Sequence, residues 1–588
     1  DLGEHHDDVT MLYFCQVSYS NFSVAVSEDG ESWSDDYIAD MAEGECFQWK
    51  YLTPSYMGKD KYGNDKRFFY SQPIKFSARY VRITSQQIGL KMNEVIFHDA
   101  NGDRIPATVI AQLNVMEEST LYSDANNIFD EQDTLEGLPS WWNSTYFDEI
   151  YHARTAYEHL HGTAPYETSH PPLGKVIMSL GIAIFGMVPF GWRVMGALAG
   201  ILMLPAMYLL GKQLTKKSSF AFAAALMLAL DCQHFTQTRI ATIDSYPVLF
   251  ILFSWLFMLR FMQRDIVRLP VKKFLPDLAL SGLFMGLGIA SKWIGVYSGA
   301  GLAVAFFWTI FRHMRMAATS AHLLKTDKSL SDEDRKILTL RDQTTMKRVL
   351  VICLWCLLFF VAIPLAIYLL AYIPYFAYAH FDNLKDYLTA VWNAQLRMFS
   401  YHSKPGLGMD HPFYSPWYEW IFNQRPMYYA SPTYVNTPGW SYAIWCFGNP
   451  AIWSAALVGF AYTVFMWAKR HRYTLRKDGE TLHWTAADWD VTMPFLLLSA
   501  LSQFLPWVLV PRGTYIYHYF ATTPFLMLSI TVLFRDITRR FPKTGKWLLG
   551  IFLGVCLVMF VAYFPYASGT LTPTWWLDFM EQFLRIYY

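Results

Sequence analysis

Two hydropathy patterns divide the chain. Up to residue 172 no apolar run is long enough to span a bilayer, whereas from Val176 onward such runs recur about every thirty residues. In the first part, NFSVAVSEDGESW and ARYVRITSQQIGLKMNEVIFHDANGDRI alternate apolar and polar positions between Asp-Gly and Asn-Gly turns. That is the period-two pattern of half-buried antiparallel strands, and it predicts a β-sandwich over residues 1–112. The second part holds ten apolar segments, at roughly 192–210, 219–233, 245–262, 276–291, 293–311, 349–372, 451–468, 492–510, 518–534 and 546–563. The predicted fold class is a polytopic α-helical membrane protein with an N-terminal extracytoplasmic β-sandwich.

The basic residues orient the spans, because Lys and Arg near span ends favour the cytoplasmic side. Lys212, Lys216 and Lys217 follow the first span; Arg264, Arg268, Lys272 and Lys273 the third; a basic loop, 312–348, the fifth. Lys469, Arg470 and Arg472 follow the seventh, and Arg535, Arg539, Arg540 and Lys543 the ninth. Every second loop is basic. The remaining loops, residues 1–172 and the C-terminal tail are therefore expected outside. The stretch 174–190 is too short at ~1.5 Å per residue for a ~30 Å hydrocarbon core, which predicts a juxtamembrane helix on the outer side. The chain begins at Asp1 with no Met or signal peptide. An anchor helix ahead of it is expected, giving eleven spans. The domains then run 1–112, a first external loop 113–190, helices 191–372, a large external aromatic-rich loop 373–450, and helices with a tail over 451–588.

Composition narrows the function. The 588 residues are 53% hydrophobic and only 16% charged, against roughly 25% charged in soluble domains, which argues against a large soluble enzyme. The 48 basic residues cancel the 48 acidic ones, so no global field points to a nucleic-acid partner. Cys353 and Cys356 form a CxxC inside an apolar run, not in a metal-ligand setting. Cys15 and Cys46 both fall on the predicted outer side, with nothing to fix their separation.

The outer loops carry the candidate chemistry, since ionisable groups beside a membrane are expensive to bury. STYFDEIYHARTAYEHLHGTAPYETSHPPLGK places Asp148 and Glu149 before an aromatic, histidine-rich helix, and His170 and Lys175 before the juxtamembrane helix. QHFTQTRIATIDS brings Arg239 and Asp244, SKWIG brings Lys292, and PWVLVPRGTYIYHY brings Arg512 and His518. The loop 373–450 adds His402 and His411 near its rim, and its aromatic density suits an acceptor-side lid or an aromatic belt at the membrane surface. An acidic pair at a helix start is most simply a solvated N-terminal charge, and a single interfacial Arg a snorkelling anchor. Three cationic loops converging with an acidic pair are less easily dismissed.

FDEIYHARTAYE, then HPPLGK, GWRVMGAL, TQTRIATIDS, SKWIG, FGNP and LPW…R…YHY resemble, in order, the motifs of protein O-mannosyltransferases of the GT-C glycosyltransferase superfamily. The resemblance runs from about Trp141 to the C-terminus. It implies an inverting transfer of a sugar, mannose in the family, from a polyprenyl-phosphate carrier to Ser or Thr hydroxyls of exported proteins on the outer face of the membrane. It further implies Asp148 as general base, Glu149 orienting acceptor or base, and Arg239 on the donor phosphate; Arg512 and Lys292 are added as phosphate candidates because their loops face the same surface. His170, Lys175, Asp244, His518, His402 and His411 would shape the site. The loop 373–450 has no room for the β-trefoil insertion of eukaryotic members, so the form is prokaryote-like. Ser27-Glu28-Asp29-Gly30 with Trp33, Ala78 to Ile83, and Asn93-Glu94-Val95 resemble the closing half of a discoidin (F5/8 type C) domain. Such domains often bind carbohydrate, which leaves lipid or wall glycan as an alternative acceptor. A carbohydrate-binding transporter or sensor is the alternative of a different class. The expected partners are the lipid-linked donor, the acceptor and membrane lipids; no spacing is a metal-ligand motif, and metal dependence stays open.

Overall fold

The computed structural model describes the chain except residues 16–20, 40–46, 60–64, 71, 86–91, 113–123, 136–137, 433–437, 470–474, 479–480, 485–489 and 585–588. Cys46, Arg470 and Arg472 therefore lie outside the described residues. The chain divides into two units, Asp1–Arg154 with Ala430–Ser441, and Thr155–Tyr429 with Tyr442–Tyr588.

The first unit is the sandwich that the alternation predicts. β1 (His6–Cys15) pairs antiparallel with β9 (Met92–His98), β4 (Gln48–Tyr51) and β7 (Phe76–Ala78), and β10 (Arg104–Ile105) extends β9. A second sheet orders β3 (Tyr37–Ala39), β2 (Phe22–Ser27) and β8 (Tyr80–Ser85). Val9, Met11 and Tyr13 on one face of β1 pack with Phe22, Val24, Val95 and Phe97. Leu12 on the opposite face packs with Trp49, Tyr51, Ile96 and Leu135, so β1 is buried on both sides as a central strand should be. The unit runs on past the predicted boundary at 112. Ile128 and Phe129 pack on the core, and the segment ahead of the acidic pair is laced to β4. There Thr145 N–H donates to the Phe47 carbonyl at 3.0 Å, and Trp49 N–H to Ser144 Oγ at 3.0 Å.

The second unit is helical. Among the described residues, seven helices are long and apolar enough to cross a membrane: Pro189–Thr215, Ser245–Met262, Ile294–Thr326, Asp332–Tyr375, Pro450–Lys469, Thr492–Leu509 and Pro542–Ser568. Three of the ten predicted segments form helices below that standard. Ser218–Ala229 and Leu275–Ser291 are shorter apolar helices, and Thr523–Arg540 ends in charged residues. The stretch expected to lie beside the membrane is a 13-residue helix, Leu173–Phe185. Numbering in chain order, α1 is Glu149–Leu160, α2 Leu173–Phe185, α3 Pro189–Thr215, α4 Ser218–Ala229 and α5 Cys232–Arg239. Next come α6 Ser245–Met262, α7 Leu275–Ser291, α8 Ile294–Thr326, α9 Asp332–Leu357, α10 Ile363–Tyr375 and α11 Leu384–Ser403.

The segment 312–348, expected as a loop, is almost wholly helical: α8 runs on to Thr326, and α9 starts at Asp332 with Ser331 Oγ accepting from Asp334 N–H. Its basic residues hold the end of α6 and the turn that follows it. Arg312 donates to the Met262 carbonyl at 2.7 Å and Arg348 to that of Ile266 at 2.8 Å, while Arg341 pairs with Asp265 at 2.8 Å. A π-helical turn, Leu358–Ala362, joins α9 to α10. Gly282 and Gly286 of α7 let it approach, because a Cβ on Gly282 would stand 2.1 Å from the Phe359 carbonyl oxygen and one on Gly286 2.8 Å from Pro364 Cα.

Candidate active site

The acidic pair sits at the start of α1. Phe147, just ahead of it, has φ 49°, a left-handed conformation unusual for an aromatic residue and of the kind found where function constrains a backbone. The two carboxylates differ in setting. Glu149 is fully buried, and its Oε2 accepts from Tyr146 N–H at 3.2 Å while its own N–H donates to the Tyr146 carbonyl at 3.2 Å. It braces the turn. Asp148 stays partly exposed, and its carbonyl takes the first helical hydrogen bonds from Tyr151 and His152, both at 3.1 Å.

The second unit gathers most of the remaining candidates. Lys175 is fully buried and donates to the Glu167 carboxylate, to the Glu167 carbonyl at 2.9 Å and to the His170 carbonyl at 3.4 Å. Three acceptors use all three of its protons, so Lys175 pins the 167–170 loop and is not a free cation. Glu167 also contacts His170 Nδ1 at 3.1 Å. His402 Nε2 donates to the Ser169 carbonyl at 2.7 Å, and its ring lies edge-on to His170 at 5.2 Å and against Trp293 at 5.9 Å. Lys292, at the end of α7, is buried against Asp244 with Nζ 2.7 Å from Oδ1, and stands 6.0 Å from the Tyr517 ring. Tyr517 leads to His518 at 4.5 Å, itself packed on Trp507 at 4.3 Å.

The three cations proposed for phosphate are thereby separated. Lys292 already has a carboxylate. Arg239 donates to the carbonyls of Ala567 and Ser568, the last residues of the helix Pro542–Ser568, and lies over Phe235. Arg512 is half-buried and has neither a hydrogen bond nor a carboxylate partner among the described residues, and its charge, after burial, disfavours a proton on His402. His411 is exposed at the edge, its ring 5.3 Å from Tyr515. Glu167, Ser169 and Tyr517 were not picked out by sequence. The available signal was Lys175 itself, a lysine at the head of an apolar helix that needs a nearby carboxylate. Among the described residues, the group whose ligand atoms could share a cation is Glu94, Asp130 and Glu131 in the sandwich, within 4.8 Å of one another.

The two loop histidines are neutral near pH 7. Burial holds His170 well below the usual imidazole range despite Glu167, and Lys292 and His402 act in the same direction as burial. Burial, then Arg512, brings His402 down to about 4. The unfolded chain therefore binds more protons than the folded one between about 6.5 and about 4, and stability should fall as pH drops through that window. The melting midpoint of the purified protein, followed from pH 7 to 4, checks this; a flat midpoint would contradict a buried neutral His402.

The bundle of apolar helices is that of a multi-pass membrane protein, and comparison with known proteins gives its class. The family described as "Dolichyl-phosphate-mannose-protein mannosyltransferase" matches residues 183–384, and the "C-terminal four TMM region of protein-O-mannosyltransferase" matches 387–580. The chain belongs to the protein O-mannosyltransferase family. It is 25% identical over 447 residues to a polyprenol-phosphate-mannose–protein mannosyltransferase of Mycolicibacterium smegmatis, covering 68% of this chain and 78% of that protein. The similarly named Mycobacterium tuberculosis protein is 25% identical over 462 residues, covering 71% and 80%. The fold is similar to the Saccharomyces cerevisiae Pmt1-Pmt2 complex bound to the sugar donor, with TM-score 0.59 and 12% identity, over 76% of this chain and 90% of that one. The acidic pair lies ahead of the matched family region.

Proposed function

We propose that the protein moves a mannosyl group from a polyprenyl-phosphate carrier to Ser or Thr hydroxyls of exported proteins, by a single inverting displacement on the extracytoplasmic face. The names of the relatives support donor and acceptor, and the basic residues crowded at alternate span ends support the sidedness. The observation that carries the site assignment is the uncommitted Arg512. As the acceptor oxygen bonds to the anomeric carbon, the bond from that carbon to the phosphate oxygen breaks, and its electron pair leaves on the phosphate. A cation with no carboxylate of its own is the group suited to receive that charge. Lys292 stands in a salt bridge with Asp244, so its charge is already paired. Asp148 takes the hydroxyl proton, a role that rests on the family motif; Glu149, already bonded to Tyr146, holds the turn that presents it.

Membranes containing the protein, supplied with labelled polyprenyl-phosphate mannose, should place label on protein in a form released by β-elimination from Ser or Thr. Label appearing only in glycan would overturn the protein acceptor.

A further inference from the structure

No hydrogen bond or ion pair among the described residues holds the Arg512 guanidinium, so where it stands is set by the backbone that carries it. That backbone is fastened on both sides to one segment of the chain. The Pro511 carbonyl accepts from Gly406 N–H at 3.1 Å, and Gly513 N–H donates to the Leu407 carbonyl at 2.7 Å. One residue on, the Thr514 carbonyl accepts from Ser415 N–H at 2.9 Å, and Thr514 Oγ1 donates to the Ser415 carbonyl at 2.8 Å. Tyr515 Oη donates to the Gly408 carbonyl at 3.1 Å.

The segment, residues 404–414, is a strap between two anchors. It leaves α11 just after His402, whose Nε2 donates to the Ser169 carbonyl at 2.7 Å. It ends at Ser415, fully buried, whose carbonyl and hydroxyl both accept from Trp420 Nε1, at 3.1 and 3.0 Å. Between the anchors Gly406 and Gly408 have φ of 75° and 76°, left-handed conformations that glycine adopts without a steric cost. The strap's closest approach is at Gly513. A Cβ there would stand 2.4 Å from the Gly408 carbonyl oxygen and 3.0 Å from the Met409 nitrogen. Both are backbone atoms, so no rotamer change relieves the overlap, and the ties at Thr514 keep Gly513 from backing away. The residue after the uncommitted arginine is a glycine because the strap fills the space a side chain would need.

We propose that the strap, seated backbone to backbone on Gly513, positions Arg512 for the leaving phosphate. Gly513 and Gly408 are positioning residues: they act on mannosyl transfer through the guanidinium and touch neither donor nor acceptor. The proposal rests on the reading of Arg512 as the group that receives the phosphate charge. A side chain with hydrogen bonds of its own would absorb a small backbone shift, whereas an unfastened guanidinium carries the shift to its far end. Stabilisation of developing charge depends on donors already in place, so the strap's seat on Gly513 governs the rate of transfer.

Gly513→Ala should lower kcat for transfer from labelled polyprenyl-phosphate mannose by about 10- to 100-fold, the scale of an ångström's misplacement at a reacting centre. KM for the donor should stay within about twofold of native, because the lost interaction belongs to the transition state. In the Arg512→Gln background the same substitution should cost nothing further, since residues that work as a unit are not additive. A native kcat for Gly513→Ala, or losses that multiply in the double variant, would overturn the proposal. If Gly513→Ala does not fold, Tyr515→Phe takes its place, cutting one tie to Gly408 while keeping the ring beside His411. Its severalfold loss of kcat should likewise vanish when residue 512 is Gln; no loss, or one that persists, goes against the strap. Arg512→Gln at near-native kcat would instead remove the phosphate reading itself, so the two failures are told apart.

Discussion

Asp148→Asn is expected to insert and fold as the native chain does and to lose mannosyl transfer by roughly 10²–10⁴-fold, the range for a positioned general base. The fold should tolerate it because the helical hydrogen bonds at this position come from the Asp148 carbonyl, which Asn keeps, and because Asn is a good residue at a helix start. What disappears is the proton acceptor. Glu149→Gln supplies the contrast: its side-chain oxygen still accepts from Tyr146 N–H, so the turn survives and the loss should be much smaller. Initial rates with labelled lipid-linked mannose, alongside melting midpoints, separate the two. Near-native turnover by Asp148→Asn would remove Asp148 from the base role.

Arg512→Gln should lower kcat by about 10²-fold, comparable to removing one donor from a site where negative charge develops. Its melting midpoint should change little, since Arg512 holds no hydrogen bond or ion pair among the described residues for the substitution to break. Arg512→Lys should recover part of the rate, as a point charge without the planar fork. Arg239→Gln is expected to act differently: losing the contacts to Ala567 and Ser568 leaves helix-end carbonyls without partners, so the midpoint should fall together with activity. If Arg239→Gln abolished transfer at an unchanged midpoint while Arg512→Gln stayed active, the phosphate would belong to Arg239.

Much of the fold was legible in the pattern of the chain. β2 and β8 alternate because each turns one row of side chains, Phe22 and Val24 on β2 and Val81 and Ile83 on β8, onto the core, and the apolar runs became helices because a bilayer admits little else. Basic residues beyond the runs marked one set of helix ends, and the acidic pair was placed correctly at the head of α1. The stretch 312–348 escaped because hydropathy registers apolar runs, whereas this helix-turn-helix is polar and held by carbonyl and carboxylate contacts with residues 262–269. The unit boundary moved from 112 to Arg154 because the later segment is secured by hydrogen bonds to β4, nearly a hundred residues earlier.

Sequence alone determined which charged residues stand near the membrane ends and in what order. Tertiary structure decided which of them is available for chemistry. Lys292 is taken by Asp244, 48 residues away, Arg239 by the end of a helix 328 residues away, and Lys175 by Glu167, while Arg512 keeps its charge uncommitted. A charged side chain in a low-dielectric site interacts most strongly with the carboxylates and carbonyls within a few ångströms of it, and the chain's order does not record that distance.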